Sequence, residues 1–184
     1  MRLFIAINFC DETIKRLLSL RDELRSRATS GRFSAPENMH LTLAFLGECD
    51  EKQTAAAKAA IDAVRFETFS ICIERVGRFR RDAGRERGSA KTVATWWAGV
   101  QESTDLICLQ RALSEKLISS GFTLDKRKYN PHITLGREVV TDAVPWPINP
   151  FGETAHSIEL MKSERINGKL VYTAIHSLII STEN

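Results

Sequence analysis

Two short stretches decide the reading of this sequence: Met39-His40-Leu41-Thr42-Leu43 and Pro131-His132-Ile133-Thr134-Leu135. Each runs His-aliphatic-Thr-Leu, and each meets a glycine soon after, at Gly47 and Gly136. Aliphatic residues alternating with polar ones predict strands over residues 40–46 and 132–135. With a period of two, His40 and Thr42 share one face, and Leu41 and Leu43 the other; His132 and Thr134 behave in the same way. Each strand then buries aliphatic side chains behind a sheet and presents an imidazole beside a hydroxyl in front.

Outward from these stretches the chain mixes strands and helices. Residues 3–9 form a short apolar run and read as a buried strand. Asp11 is placed to cap a helix through about Leu24, with Ile14, Leu17, Leu18 and Leu24 on one face. Residues 31–38 read as a polar loop containing Pro36. Asp50 and Gln53 resemble a capping box opening an alanine-rich helix to about Val64. Strands are expected over residues 69–76 and 92–100, and a third helix over 104–119, stopped by Gly121. The arginine- and glycine-rich segment 77–89 reads as a loop, as does the region where Pro145 and Pro147 flank Trp146. Two final strands, 155–161 and 170–180, join through Asn167-Gly168, a strong hairpin signal. This pattern predicts an α+β fold in a single domain spanning residues 1–184.

Composition narrows the function. The 184 residues are 43% hydrophobic, enough for a folded core, with a net charge of only +3. That charge is concentrated: residues 75–87 hold six arginines against Asp82 and Glu86, and the rest of the chain is slightly negative. The four cysteines form no CxxC pair and sit in or beside apolar stretches, which favours reduced thiols over metal or disulfide roles. No stretch approaches the ~20 apolar residues of a membrane span. The opening residues read as a first strand rather than a leader, and a cytoplasmic protein is expected. Neither GxGxxG nor a P-loop is present, which removes the main support for dinucleotide or nucleoside-triphosphate binding.

The paired motifs suit phosphate chemistry. Imidazole, with a reference pKa near ~6.5, gives or takes a proton at neutral pH. A neighbouring threonine hydroxyl donates a hydrogen bond to a phosphate oxygen. Two copies facing across a cleft supply a base, an acid and two donors around one phosphorus. A single His-x-Thr reads best as a half-buried structural histidine, but two copies, each followed by leucine, argue against coincidence. Zinc is a weaker reading because threonine is a poor ligand and no cysteine or carboxylate sits at ligand spacing. A Ser-His-Asp triad is compatible with the spacing, yet no GxSxG supports it. The residues give the pair and leave open which histidine is the acid.

These segments resemble the two HxTx motifs of the 2H phosphoesterases, and more narrowly the RNA 2′,3′-cyclic phosphodiesterases, once described as 2′-5′ RNA ligases. The resemblance runs through Arg2-Leu3-Phe4-Ile5-Ala6-Ile7, Glu37-Asn38-Met39-His40-Leu41-Thr42-Leu43-Ala44-Phe45-Leu46-Gly47-Glu48 and Thr95-Trp96-Trp97-Ala98-Gly99-Val100. It continues in Tyr129-Asn130-Pro131-His132-Ile133-Thr134-Leu135-Gly136-Arg137 and Gly168-Lys169-Leu170-Val171-Tyr172. It implies a bilobed fold of two pseudo-symmetric antiparallel-sheet lobes with flanking helices, one motif from each lobe lining a central cleft. It also implies hydrolysis of a terminal RNA 2′,3′-cyclic phosphate to a 2′-phosphomonoester without metal or other cofactor. By motif order His40 resembles the proton donor to the leaving oxygen and His132 the proton acceptor from water. Thr42 and Thr134 would then hold nonbridging oxygens.

Among other residues, Arg137 is a candidate substrate ligand, with an exposed strand-end arginine as the plain alternative. Phe45, Trp96 and Trp97 could stack on a base. At least one tryptophan is expected in the core, and core is the favoured role for Phe45. Lys126, Arg127, Lys128 and the arginines of segment 77–89 are candidate RNA-backbone contacts, or solvated charge. His156 and His176 lack a threonine two residues on and receive no role. The expected partner is an RNA or oligonucleotide with a cyclic-phosphate end, met by a monomer. Alternatives are small cyclic phosphates such as ADP-ribose 1″,2″-cyclic phosphate, 2′-5′ linkages including their ligation, or a non-catalytic RNA-end-binding module.

Overall fold

The computed structural model describes residues 1–80 and 92–180. In chain order the elements are β1 (Arg2–Asn8), α1 (Asp11–Ser26), β2 (Ala28–Phe33), β3 (His40–Glu48), α2 (Glu51–Asp62), β4 (Phe69–Arg80), β5 (Thr92–Val100), α3 (Thr104–Ser119), β6 (His132–Thr141), β7 (Trp146–Ala155), β8 (Ser157–Ile166) and β9 (Lys169–Ile179), with a 3₁₀ turn at Pro36–Asn38. The strands form two sheets, ordered β3-β1-β8-β9 and β2-β6-β5-β4-β7, and the strand pairs in both are antiparallel. The α+β expectation with two antiparallel sheets and three helices is met. Among the described residues no helix is long and apolar enough to cross a membrane.

Strand β1 shows how the first sheet is used on both faces. Leu3, Ile5 and Ile7 enter the main core with Leu41 and Leu43 of β3 and Ile158 and Leu160 of β8. Phe4 and Ala6, on the alternate face, form a small separate cluster with Met161, against which Tyr172 packs. The second sheet contributes Trp96 and Ala98 of β5 and Ile133 and Leu135 of β6 to the main core. The helices cover that core with narrow apolar stripes. Helix α3 buries Leu106, Leu109, Leu113 and Leu117, spaced three and four apart.

Local signals hold where the chain's own chemistry sets them. The Gln53 backbone N–H donates to Asp50 Oδ1 at 2.7 Å and the Asp50 N–H to Gln53 Oε1 at 3.0 Å, completing the capping box. Asn167 and Gly168 both take left-handed φ, 51° and 80°, as a tight hairpin turn requires. Gly121 follows α3 at φ 90°.

Several expectations are corrected. Residues 31–33, given to the loop 31–38, instead belong to edge strand β2, whose polar sequence lies mostly exposed and so carries no core-facing alternation. The region around Trp146 is strand β7, again an edge, where Pro147 and Pro150 need donate no ladder hydrogen bond. The strand expected over residues 155–161 is divided, Ala155 ending β7 and Ser157 opening β8. Residues 77–80 continue β4, while 81–89 of that expected loop lie outside the described residues. The N-cap of α1 is Cys10 rather than Asp11, and its backbone N–H donates to the Glu153 carboxylate at 3.1 and 3.2 Å.

Candidate active site

Strands β3 and β6 start at the two histidines, and each is irregular in the same place. Along β1 and β3, Ile5 pairs with Ala44 but Ala6 with Thr42, so Leu43 is an extra residue. Along β5 and β6, Trp97 pairs with Thr134 but Trp96 with Gly136, so Leu135 is extra. A bulge reverses the face on which later residues fall. Phe45, which strict alternation places behind the sheet, pairs with Phe4 on the face of Thr42 and His40, and is 51% exposed. The core role favoured for Phe45 is therefore overturned. The same reversal turns Arg137, three residues after Thr134 just as Phe45 is three after Thr42, to an exposed position. Donors from other elements take up the carbonyls at the bulges: Tyr129 Oη donates to Thr42 O at 3.0 Å, Gln110 Nε2 to Leu43 O at 3.3 Å, and Ser34 Oγ to Thr134 O at 2.7 Å.

Each imidazole is anchored by the residue two positions earlier. His132 Nδ1 lies 2.7 Å from the Asn130 carbonyl oxygen. A carbonyl only accepts, so Nδ1 carries the hydrogen and Nε2 keeps its lone pair. The Asn38 backbone acts on His40 in the same sense, favouring its protonated form. Each ring also sits in an aromatic corner. Phe4 and Tyr172 lie 4.7 and 5.2 Å from the His40 ring centroid. Phe79 meets His132 edge-on at 5.0 Å, with Trp97 at 6.2 Å.

Burial governs the electrostatics. Loss of water pushes His40 down to about 4, with the positive charge of Arg137 and the neighbouring His132 adding to it against the Asn38 hydrogen bond. His132 is also lowered, by burial first; its bond to Asn130 opposes that and Arg137 assists it. Tyr172 is raised by burial, against the charges of Arg137 and Arg2. Arg137 thus stands close enough to act on both imidazoles, and it has no ion-pair partner among the described residues. In the free protein both rings are neutral at pH 7, in a field that favours an anion.

The remaining candidates divide. Trp96 is fully buried in the core, whereas Trp97 is buried beside His132. Arg127 pairs with Asp125 at 2.5 Å and Lys128 with Glu102 at 3.0 Å, which leaves Lys126 as the unpaired member of that run among the described residues. Arg78 donates to the Ala143 carbonyl at 2.8 Å. His176 is 2.7 Å from Asp62 and fastens β9 to α2. No three His, Cys, Asp or Glu side chains among the described residues come together as a metal site. Asn38, Asn130, Phe4, Phe79, Tyr129 and Tyr172 received no individual role from the sequence. The repeated Asn-x-His was the available signal for the first two.

Residues 7–88 match the family described as LigT-like phosphoesterase. An RNA 2′,3′-cyclic phosphodiesterase of Archaeoglobus fulgidus is 36% identical over 137 residues, covering 74% of this chain and 72% of that one. One from Thermotoga maritima is 34% identical over 139 residues, covering 74% and 70%. Escherichia coli LigT, solved with 3′-AMP, superposes with a TM-score of 0.81 at 25% identity over 98% of both chains. With the two motif strands brought together as described, these likenesses place the chain in the LigT-like 2H phosphoesterase family, beside relatives named RNA 2′,3′-cyclic phosphodiesterase.

Proposed function

We propose that the protein hydrolyses terminal 2′,3′-cyclic phosphates on RNA to 2′-phosphomonoesters by two-histidine acid-base catalysis. The observation that carries this reading is the pair of half-buried imidazoles, His40 and His132, both within the field of Arg137, with His132 held at Nδ1 by the Asn130 carbonyl. His132, with Nδ1 committed to Asn130, offers Nε2 to a water and takes its proton as the water oxygen bonds to phosphorus. The P–O3′ bond breaks, and O3′ receives a proton from His40. Substrate assists that donor role: the phosphodiester anion beside His40 opposes the burial that lowers it, so the ring gains a proton as the substrate binds. Thr42, Thr134 and Arg137 hold the nonbridging oxygens. Phe45, exposed on the His40 side with the Arg2 guanidinium 5.0 Å from its ring centroid, serves as a stacking platform for the nucleoside bearing the phosphate. The relatives named RNA 2′,3′-cyclic phosphodiesterase support the same substrate class.

The test is to incubate the protein with an oligonucleotide ending in a 2′,3′-cyclic phosphate, with and without exhaustive chelation, and to resolve the products. A 2′-phosphate product in both is expected. No turnover, or turnover lost in EDTA and restored by zinc or manganese, overturns the reading.

A further inference from the structure

The first sheet continues past Phe45 into a cationic cavity that the two histidines do not use. Strand β1 orders the site face in rows: Ala6 lies between Thr42 and Glu159, Phe4 between Phe45 and Met161, and Arg2 between Glu48 and Ser163. Successive rows, two residues along a strand, are ~7 Å apart. The Arg2 row borders a cavity of about 380 Å³ whose lining includes Arg2, Glu48, Lys162, Ser163, Glu164 and Arg165. Lys162 and Glu164 neutralise each other at 2.9 Å. Arg2 and Arg165 have no ion-pair partner among the described residues. The Arg2 guanidinium lies 5.0 Å from the Phe45 ring centroid, and Arg165 Nη1 donates to the Gly168 carbonyl at 3.2 Å. Glu48 offsets one of these two charges, with its side chain 78% exposed, and the lining keeps an excess of positive charge. Between the two arginines the half-buried Ser163 hydroxyl makes no hydrogen bond among the described residues.

This cavity is joined to the His40 side of the site. The charge of Arg2 reaches the Tyr172 phenol, whose ring packs edge-on against His40 with centroids 5.2 Å apart. Asn38 Nδ2 donates to the Leu170 carbonyl at 3.3 Å, which fastens the β8–β9 hairpin, one wall of the cavity, to the turn before His40. A nucleoside with its terminal phosphate at Thr42 and its base on Phe45 directs its 5′ oxygen along the rows towards Arg2. Two guanidinium groups without a carboxylate partner and one hydroxyl without a hydrogen bond are donors suited to phosphate oxygens. We propose that Arg2, Ser163 and Arg165 form a subsite for the phosphate on the 5′ side of the terminal nucleoside, through which the protein selects chain ends over free cyclic mononucleotides. The proposal rests on the reading of the two histidines given above. An RNA phosphodiester and a nucleotide 5′-monoester present the same oxygens to this subsite, and the experiment separates them.

The test measures kcat/KM for hydrolysis of adenosine 2′,3′-cyclic phosphate, of the same nucleotide bearing a 5′-phosphate, and of a diadenosine dinucleotide with a cyclic-phosphate end. Wild type, Arg165→Gln and Arg165→Lys are compared, with folding checked by circular dichroism. The readout is the ratio of each 5′-phosphate-bearing substrate to the plain cyclic nucleotide, which cancels any general effect on the histidines. Wild type should favour both phosphate-bearing substrates by about 10- to 100-fold, a range that allows for solvent screening of exposed charges. Their kcat/KM should also fall more steeply with salt, by about 0.7 in logarithmic slope per phosphate contact. Arg165→Gln should lower both ratios about 3- to 10-fold and leave the plain nucleotide unchanged, while Arg165→Lys should keep most of the advantage. Wild-type ratios near one overturn the subsite and leave the hydrolase intact. Ratios unchanged in Arg165→Gln, or an equal loss on all three substrates, also overturn it. An advantage confined to the dinucleotide assigns the gain to the upstream nucleoside, and one confined to the 5′-monoester assigns the cavity to small nucleotides; each overturns the selection of chain ends. A wild-type protein inactive on all three substrates overturns the hydrolase reading and the subsite together.

Discussion

The phenol of Tyr129 donates to the carbonyl oxygen of Thr42 at 3.0 Å, tying the segment that leads into His132 to the strand that carries His40. Burial raises the phenol well above its ordinary value, so the tether stays protonated throughout the neutral range. Tyr129→Phe leaves a carbonyl at a bulge without this donor and should cost about 1–3 kcal/mol of stability, measured by urea denaturation at pH 7. Turnover should fall as well, because the bond joins the two halves of the site. A variant as stable and as active as wild type would show that the Thr42 carbonyl finds another donor.

The two histidines should behave as one unit. His40→Ala and His132→Ala should each lower turnover on the order of 10²–10⁴, and the double variant should lose little more than the worse single one. Thr42→Ala and Thr134→Ala should be milder, since they remove a donor to the phosphate and leave proton transfer in place. Steady-state rates on a cyclic mononucleotide decide the matter. Near wild-type activity in either folded histidine variant makes that residue structural.

Acid should destabilise the protein through its histidines before its carboxylates. His40 titrates at about 4 when folded and near ~6.5 when unfolded. Between those values the unfolded chain binds the extra proton, so stability rises with pH across the window and is lost as pH falls from about 6.5 towards about 4. His132, also lowered, adds in the same direction. Denaturant unfolding from pH 4.5 to 7.5 should show this slope, and His40→Asn should flatten it. Histidine NMR should report His40 near 4 in the free protein and a rise when inorganic phosphate binds. No rise would remove the substrate-assisted protonation from the mechanism.

The legible parts of the fold were those whose cause is local. The capping box at Asp50, the Asn167-Gly168 turn and the leucine stripe of α3 each follow from side chains within a few residues of one another. Strands β2 and β7 were missed because an edge strand buries little and leaves no alternating signature.

By itself the sequence determined the chemistry available at the site. Two His-x-Thr runs with aliphatic residues between them must, as strands, present an imidazole and a hydroxyl on one face, because side chains alternate along a strand. The tertiary structure decided what stands around them. Bulges at Leu43 and Leu135 turn Phe45 and Arg137 to the reverse of the face that a two-residue period assigns, and strand pairing sets Phe79, Trp97 and Arg75 beside His132. The physical reason is that a bulge and a register are properties of a pair of strands. A neighbouring strand must supply the partner that one extra residue slips past, and no single stretch of chain contains both.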